Sequence, residues 1–345
     1  MSKKTAVVIC PGRGTYNKTE LGYLHNYHQN KKNFIDSIDE YRAHLDQPSI
    51  WEIDGMKEFS PKVHLPGENS ASLIYACSYA DFLSINREKY EIEAITGNSM
   101  GWYLACVCAG ALSINNGTHL INTMGSQMKE EIIGGQIIYP EVDDNWIYSP
   151  ELSALIDSKM DEVNKIDGHE VYNSINFGGL RIIGGNDSGL IALLKCLPSR
   201  ENRYPFRLMG NAAFHTPLLT ETSIKARQNL KQDLFNTPEI PLIDGRGKIW
   251  MPYATNLNEL WDYTLGHQVD NTYDFTKAIE VAVKEFAPDH LIITGPGMTM
   301  GGAVAQTLIN KKLKPIKDKE EFKRLQMDDP YLISMSENSQ RELVL

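Results

Sequence analysis

Apolar and polar positions along the chain alternate between two rhythms. Ala6-Val7-Val8-Ile9-Cys10 is a continuous apolar run stopped by Pro11-Gly12, which predicts a strand buried on both faces in a parallel sheet. Helical periodicity follows over 32–46 and 70–86; the second stretch has apolar or small residues on nearly every face and predicts a buried helix. A short strand at 94–96 runs through Gly97-Asn98-Ser99-Met100-Gly101 into an apolar helix over 102–112. From 131 to 209 the order becomes strand (136–142), helix (149–164), strand (170–176), strand (180–183), helix (187–197) and strand (203–209). That is the ferredoxin-like order of a small inserted unit. The first rhythm then returns, with a helix over 223–235, an extended stretch at 241–249, a helix over 276–286 and an apolar strand at 290–293 stopped by Gly295-Pro296-Gly297. The charge-rich end, from 311, predicts a helix and a loose end. The expected class is α/β, with a discontinuous large domain (1–130 and 210–315), an insertion (131–209) and a charged C-terminal extension (316–345).

Composition changes this picture little. The chain has 345 residues and a formal net charge of -10, which argues against a general nucleic-acid binder. Five cysteines, an odd count with no Cys-x-x-Cys, read as reduced thiols of a cytoplasmic protein and not as a disulfide framework or zinc site. No apolar run reaches the length of a membrane span.

The sharpest chemical signal is Gly97-Asn98-Ser99-Met100-Gly101, a Gly-x-Ser-x-Gly turn between a strand and a helix. Such a turn strains its middle residue and stands the serine at a helix N-terminus, where free amides favour developing negative charge. Without context the pentapeptide also fits a serine N-cap. Of nine histidines, His215 stands out in Ala213-Phe214-His215-Thr216-Pro217-Leu218-Leu219, a loop closed by Pro217. His25 and His28 mimic metal-ligand spacing but lie in a polar stretch and read as solvated surface residues, so no metal is expected. Gly12-Arg13-Gly14 follows a strand, but Asn17 stands where a dinucleotide fingerprint needs its third glycine.

Five segments in order resemble the malonyl-CoA:acyl carrier protein transacylase family, including the acyltransferase domains of polyketide synthases. They are Cys10-Pro11-Gly12-Arg13-Gly14; the serine turn with Cys108-Ala109-Gly110-Ala111-Leu112-Ser113; the stretch 176–185; the His215 loop; and Gly295-Pro296-Gly297. The resemblance implies an α/β-hydrolase-like large domain with a parallel sheet and a ferredoxin-like insertion. It also implies a ping-pong S-acyltransferase of fatty acid or polyketide biosynthesis. Ser99, activated by His215, would take an acyl group from acyl-CoA and pass it to the phosphopantetheine arm of an acyl carrier protein. No bound cofactor is implied. The backbone amides of Arg13 and Met100 would form the oxyanion hole, and Asp274, by its backbone oxygen or carboxylate, would orient the base. Met124, Phe214 and Asn176 would line the acyl pocket.

Met124 stands where malonyl-specific members carry the arginine that pairs with the free carboxylate, so an uncharged, acetyl-like acyl group is expected. Arg13 is the residue that reverses this expectation if its side chain turns toward the pocket. Thioester hydrolysis by the same serine is the alternative activity. Lys225, Arg227 and Lys231 are candidates for docking an acidic carrier.

Overall fold

The computed structural model describes residues 2–127 and 132–345, apart from the side chain of residue 328. A six-stranded sheet runs in the order Leu332–Ser334, His290–Ile293, Lys4–Cys10, Tyr90–Gly97, Leu242–Ile243 and Ile249–Trp250. Every neighbouring pair is parallel except the last. The central strand is buried from Ala6 to Cys10, as its uninterrupted apolar run predicts for a sheet covered on both faces. Helix Gly67–Ser84 is buried on almost every face, and its Gly67 lies so close to Gly125 that a Cβ there would stand 2.2 Å from the Gly125 carbonyl oxygen.

The second sheet has the order Phe206–Arg207, Gly135–Pro140, Leu180–Gly185, Val171–Phe177 and Tyr273–Asp274. Its first four strands are antiparallel, with helices Pro150–Asn164 and Asp187–Cys196 in the ferredoxin-like connection order. The fifth strand comes from far along the chain and pairs parallel to Val171–Phe177. It leads directly into helix Phe275–Phe286 and so stitches the small sheet to the large unit.

Two expectations change. The strand expected over 203–209 contracts to Phe206–Arg207, and the boundary expected at 130 and 131 lies outside the described residues. The C-terminal stretch is not loose. Helix Lys319–Asp328 leads to the edge strand Leu332–Ser334, and helix Asn338–Val344 closes the chain. Leu332, Ile333 and Val344 are buried, and so is Arg341, whose guanidinium binds the equally buried Asp81 carboxylate at 2.6 Å. Among the described residues no helix is long and apolar enough to cross a membrane.

Candidate active site

The parallel pairing of Lys4–Cys10 with Tyr90–Gly97 sets Cys10 opposite Gly97. Two loops therefore leave the carboxyl ends of adjacent strands side by side, the usual place for a ligand in an open α/β sheet. One loop carries Arg13 and the other Ser99. The glycines of the second loop are required by close approach. A Cβ on Gly97 would stand 2.2 Å from the Gly101 carbonyl oxygen, and one on Gly101 would stand 2.3 Å from that of Cys10. Ser99 itself is held at φ 55°, a left-handed conformation that a serine adopts only under constraint from its surroundings. The Tyr273 hydroxyl donates to the Gly97 carbonyl at 2.5 Å and pins the start of the turn.

Helix Gly101–Cys108 begins immediately after, with Met100 at its N-cap. Among the described residues, neither the Met100 nor the Arg13 backbone N–H has an intramolecular acceptor. Both amides are thus available to a ligand oxygen, as expected of an oxyanion pair. The Arg13 loop is braced by the Thr15 hydroxyl, which donates to the Gly12 carbonyl at 3.0 Å. Gly297, from the last of the five motifs, packs against Thr15 so closely that a Cβ there would stand 2.4 Å from its carbonyl oxygen.

His215 Nε2 lies 2.7 Å from Ser99 Oγ. The ring is buried, and His215 also has a positive φ, 56°. Its backbone is fixed from both sides: its N–H donates to Val269 at 3.0 Å, and the Ser174 hydroxyl donates to the neighbouring Phe214 carbonyl at 2.7 Å. Desolvation pushes the imidazole pKa down to about 4, outweighing the opposing effect of its hydrogen bond to Gln268. At neutral pH the ring is therefore uncharged. Nδ1 is committed as a donor to the Gln268 carbonyl at 2.5 Å, which leaves Nε2 free to accept the serine proton.

That hydrogen bond corrects the expectation for Asp274. Its carboxylate does not reach the base. One oxygen accepts from Lys277 N–H at 2.7 Å, capping helix Phe275–Phe286, and the other accepts from Asn176 Nδ2 at 2.9 Å. Its backbone N–H donates to Gly245, and its strand belongs to the small sheet. Asn176 is thereby corrected as well. It lies with Asp274 and Arg181 in a separate surface groove, not beside Ser99. The orienting residue is Gln268, which the sequence did not signal. It follows an unusual π-helical turn, Tyr263–His267, that no local pattern predicts.

Ser99, Met100 and His215 line one narrow cavity together with Met124, Phe214 and Arg13. Ala71, Ile121, Leu219 and Val269 complete its apolar walls. Trp102, on helix Gly101–Cys108, is fully buried, with Nε1 donating to Thr264 Oγ1 at 2.9 Å. Of the two histidines expected at the surface, His28 is not solvated: it is completely buried against Asp81 at 2.8 Å, whereas His25 is partly exposed and binds the buried Asp54 carboxylate at 2.9 Å. Of the three candidate docking cations, Arg227 is already held by Asp262 at 2.7 Å, whereas Lys225 and Lys231 are exposed.

No family model matches the chain. Curated relatives do. The malonyl CoA-acyl carrier protein transacylase of Bacillus subtilis is 23% identical over 234 residues, 66% of this chain and 70% of that protein. The protein of the same name from Escherichia coli K12 is 23% identical over 60% of this chain, and the match spans only 63% of that relative's length. Among solved structures, the malonyl-CoA:acyl carrier protein transacylase of Xanthomonas oryzae superposes with a TM-score of 0.75 at 18% identity, covering 100% of this chain and 98% of that one. A malonyl-transacylase solved in complex with its type II polyketide synthase acyl-carrier protein gives 0.73 at 16% identity, with 99% of each chain covered. In sequence the chain is similar to the malonyl CoA-acyl carrier protein transacylases, and over its whole length it has the fold of their solved structures.

Proposed function

We propose that the chain is an acyl-CoA:acyl carrier protein S-acyltransferase that works through an acyl-Ser99 intermediate. The observation that carries this reading is the 2.7 Å contact between Ser99 Oγ and an uncharged His215 Nε2, next to the Met100 N-cap amide, which has no acceptor among the described residues. In the first half-reaction Ser99 Oγ attacks the thioester carbonyl of acyl-CoA while His215 Nε2 takes its proton. The carbonyl oxygen becomes an oxyanion facing the Arg13 and Met100 amides. The C–S bond then breaks, and His215 returns the proton to the departing CoA sulfur. In the second half-reaction His215 removes the proton from the phosphopantetheine thiol. That sulfur attacks the ester, the C–O bond breaks, and the proton goes back to Ser99 Oγ. All catalytic groups come from this chain, and no cofactor enters a step.

The acyl carrier protein as acceptor is supported by the relative solved with its own carrier. The acyl group is not read from Met124 alone. Met124 does line the cavity, as an uncharged acyl group would require, but so does the side chain of Arg13.

The test is intact-mass detection of acyl-Ser99 after exposure to a mixed acyl-CoA pool, followed by addition of holo acyl carrier protein. Covalent loading that vanishes in Ser99→Ala, and transfer to the carrier thiol, are expected. Release of free acid at the same rate with or without carrier would instead favour the hydrolase. Absence of any adduct would overturn the reading.

A further inference from the structure

Asp81, on helix Gly67–Ser84, is completely buried, and no step at Ser99 uses it. Its Oδ1 accepts from Arg341 Nη2 at 2.6 Å and lies 2.8 Å from His28 Nε2. Its Oδ2 accepts from the Tyr23 hydroxyl at 2.8 Å and from the Gly295 backbone N–H at 2.6 Å. One turn earlier on the same helix face, the Ser78 hydroxyl meets that of Thr294 at 2.7 Å. Residues 294 and 295, where the chain leaves strand His290–Ile293, are thus pinned from one helix. The fit is tight: a Cβ on Gly295 would stand 2.0 Å from the Tyr23 hydroxyl oxygen. The pinned loop backs the Arg13 loop. Ile9 stands opposite Ile293 in parallel strands, so the two loops leave the sheet side by side, and Thr294 N–H donates to the Ile9 carbonyl at 3.1 Å. Gly297 packs on the Thr15 carbonyl, and the Thr15 hydroxyl holds the Gly12 carbonyl next to Arg13. A carboxylate this deep is costly unless it is fully paired, and fully paired it makes its surroundings rigid.

We propose that Asp81 is a positioning residue for the oxyanion hole. Through the Gly295 N–H it fixes the loop 294–297, and through Gly297 and Thr15 that loop holds the Arg13 amide in place. The proposal rests on the acyltransferase reading above. An oxyanion donor acts only within a narrow range of distances, so a loop that backs it matters to the rate even without touching the substrate. Arg341, on the C-terminal helix Asn338–Val344, neutralises Asp81 and keeps its carboxylate where Gly295 can reach it. The end of the chain thereby acts on chemistry at the carboxyl ends of the central strands.

The experiment compares two double variants, neither of which leaves a charge unpaired at this cluster. Arg341→Met with Asp81→Asn keeps a side-chain oxygen that can accept from Gly295 N–H. Arg341→Met with Asp81→Leu offers a side chain of similar size and no acceptor. Circular dichroism and urea unfolding fix a temperature at which both are folded, and Ser99 loading from malonyl-CoA and from acetyl-CoA is followed there by intact mass. The pair with Asp81→Asn should keep the maximal loading rate within about threefold of the native protein, since the acceptor is retained. The pair with Asp81→Leu should lose about 10- to 100-fold in maximal rate, the scale of a small misplacement of reacting groups, at an unchanged half-saturating thioester concentration. A third variant, Thr15→Val, leaves the buried cluster intact, removes the brace on Gly12 and should lower the maximal rate in the same way. Equal maximal rates in the two folded double variants, or a native rate in Thr15→Val, overturn the positioning role. If the pair with Asp81→Leu does not fold, the Thr15→Val result decides. Absence of any adduct on the native protein overturns instead the acyltransferase reading on which the proposal rests.

Discussion

The side-chain amide of Gln268 donates to the backbone carbonyl of Ser99 at 3.0 Å. The same residue's backbone carbonyl receives His215 Nδ1, and its side-chain oxygen receives the Tyr103 hydroxyl at 2.8 Å. One buried residue therefore fixes the strained serine and the base relative to each other. Removing its side chain should leave the backbone contact to His215 but loosen the serine turn. Gln268→Ala is expected to slow Ser99 acylation roughly 10- to 100-fold, the scale of a small misplacement of reacting groups. The loss should fall on kcat with KM for acyl-CoA little changed. Wild-type kcat in a folded Gln268→Ala protein would remove the positioning role.

The depressed pKa of His215 sets the pH profile. A base must be uncharged to accept the serine proton, and this imidazole protonates only near 4 instead of 6.5. Acylation by acyl-CoA should therefore stay flat from about pH 8 down to about pH 5.5 and fall only as pH approaches 4. The same shift carries a stability consequence with a definite sign. The unfolded chain takes up this proton near 6.5, whereas the folded protein does so only near 4. The contribution to stability is complete above the higher value and is lost progressively as pH falls between the two. Single-turnover acylation and urea unfolding across that range check both statements. An acylation rate that halves near pH 6.5 would contradict the first.

Asp274 supplies a helix cap, not a catalytic contact. Asp274→Ala should cost about 1 kcal/mol of stability, typical of a lost N-cap, and somewhat more if Asn176 is left without its partner. The rate of Ser99 acylation should change by less than about twofold, far below the cost of losing a group that orients a base. Asp274→Asn should recover most of the stability. Thermal denaturation and acylation kinetics on the two variants separate a cap from an orienting carboxylate.

The C-terminal helix is locked by a buried charge cluster. Arg341 donates to Asp81, to the Tyr23 hydroxyl and to the Met335 carbonyl, while Asp81 also accepts from Gly295 N–H at 2.6 Å. Arg341→Met leaves the Asp81 carboxylate buried without its charge partner and should destabilise the protein by ~3–5 kcal/mol. The urea midpoint should drop. Restoration of stability in Asp81→Asn combined with Arg341→Met would show that the unpaired charge, not lost packing, is the cause.

Much of this protein was legible along the chain. The apolar run 6–10, the glycine-flanked serine and the change of rhythm across 131–209 reflect local rules of strand burial, turn sterics and periodicity. These point to the parallel sheet, the ferredoxin-like order and the Ser99 turn, whereas His215 is singled out as the base only by the family resemblance. The C-terminal segment was misread because a charged composition hides three residues, Leu332, Ile333 and Arg341, whose burial depends on the distant strand and carboxylate they meet. The same reason explains His28, which looks polar in its own stretch and is buried against Asp81, 53 residues further along the chain.

The sequence by itself determined which residues could do chemistry and where the chain must turn, because those properties are set by side-chain type and near neighbours. Only the tertiary structure decided which groups meet. It gave the His215 contact to Gln268 instead of Asp274, and it brought Arg13, on a loop, and Met124, on helix Ile114–Ser126, to one cavity from far apart in the chain. Hydrogen-bond partners and the charge of a pocket depend on distances of a few ångströms between segments. Those distances follow from how the two sheets and the buried helices pack, which no single stretch of sequence encodes.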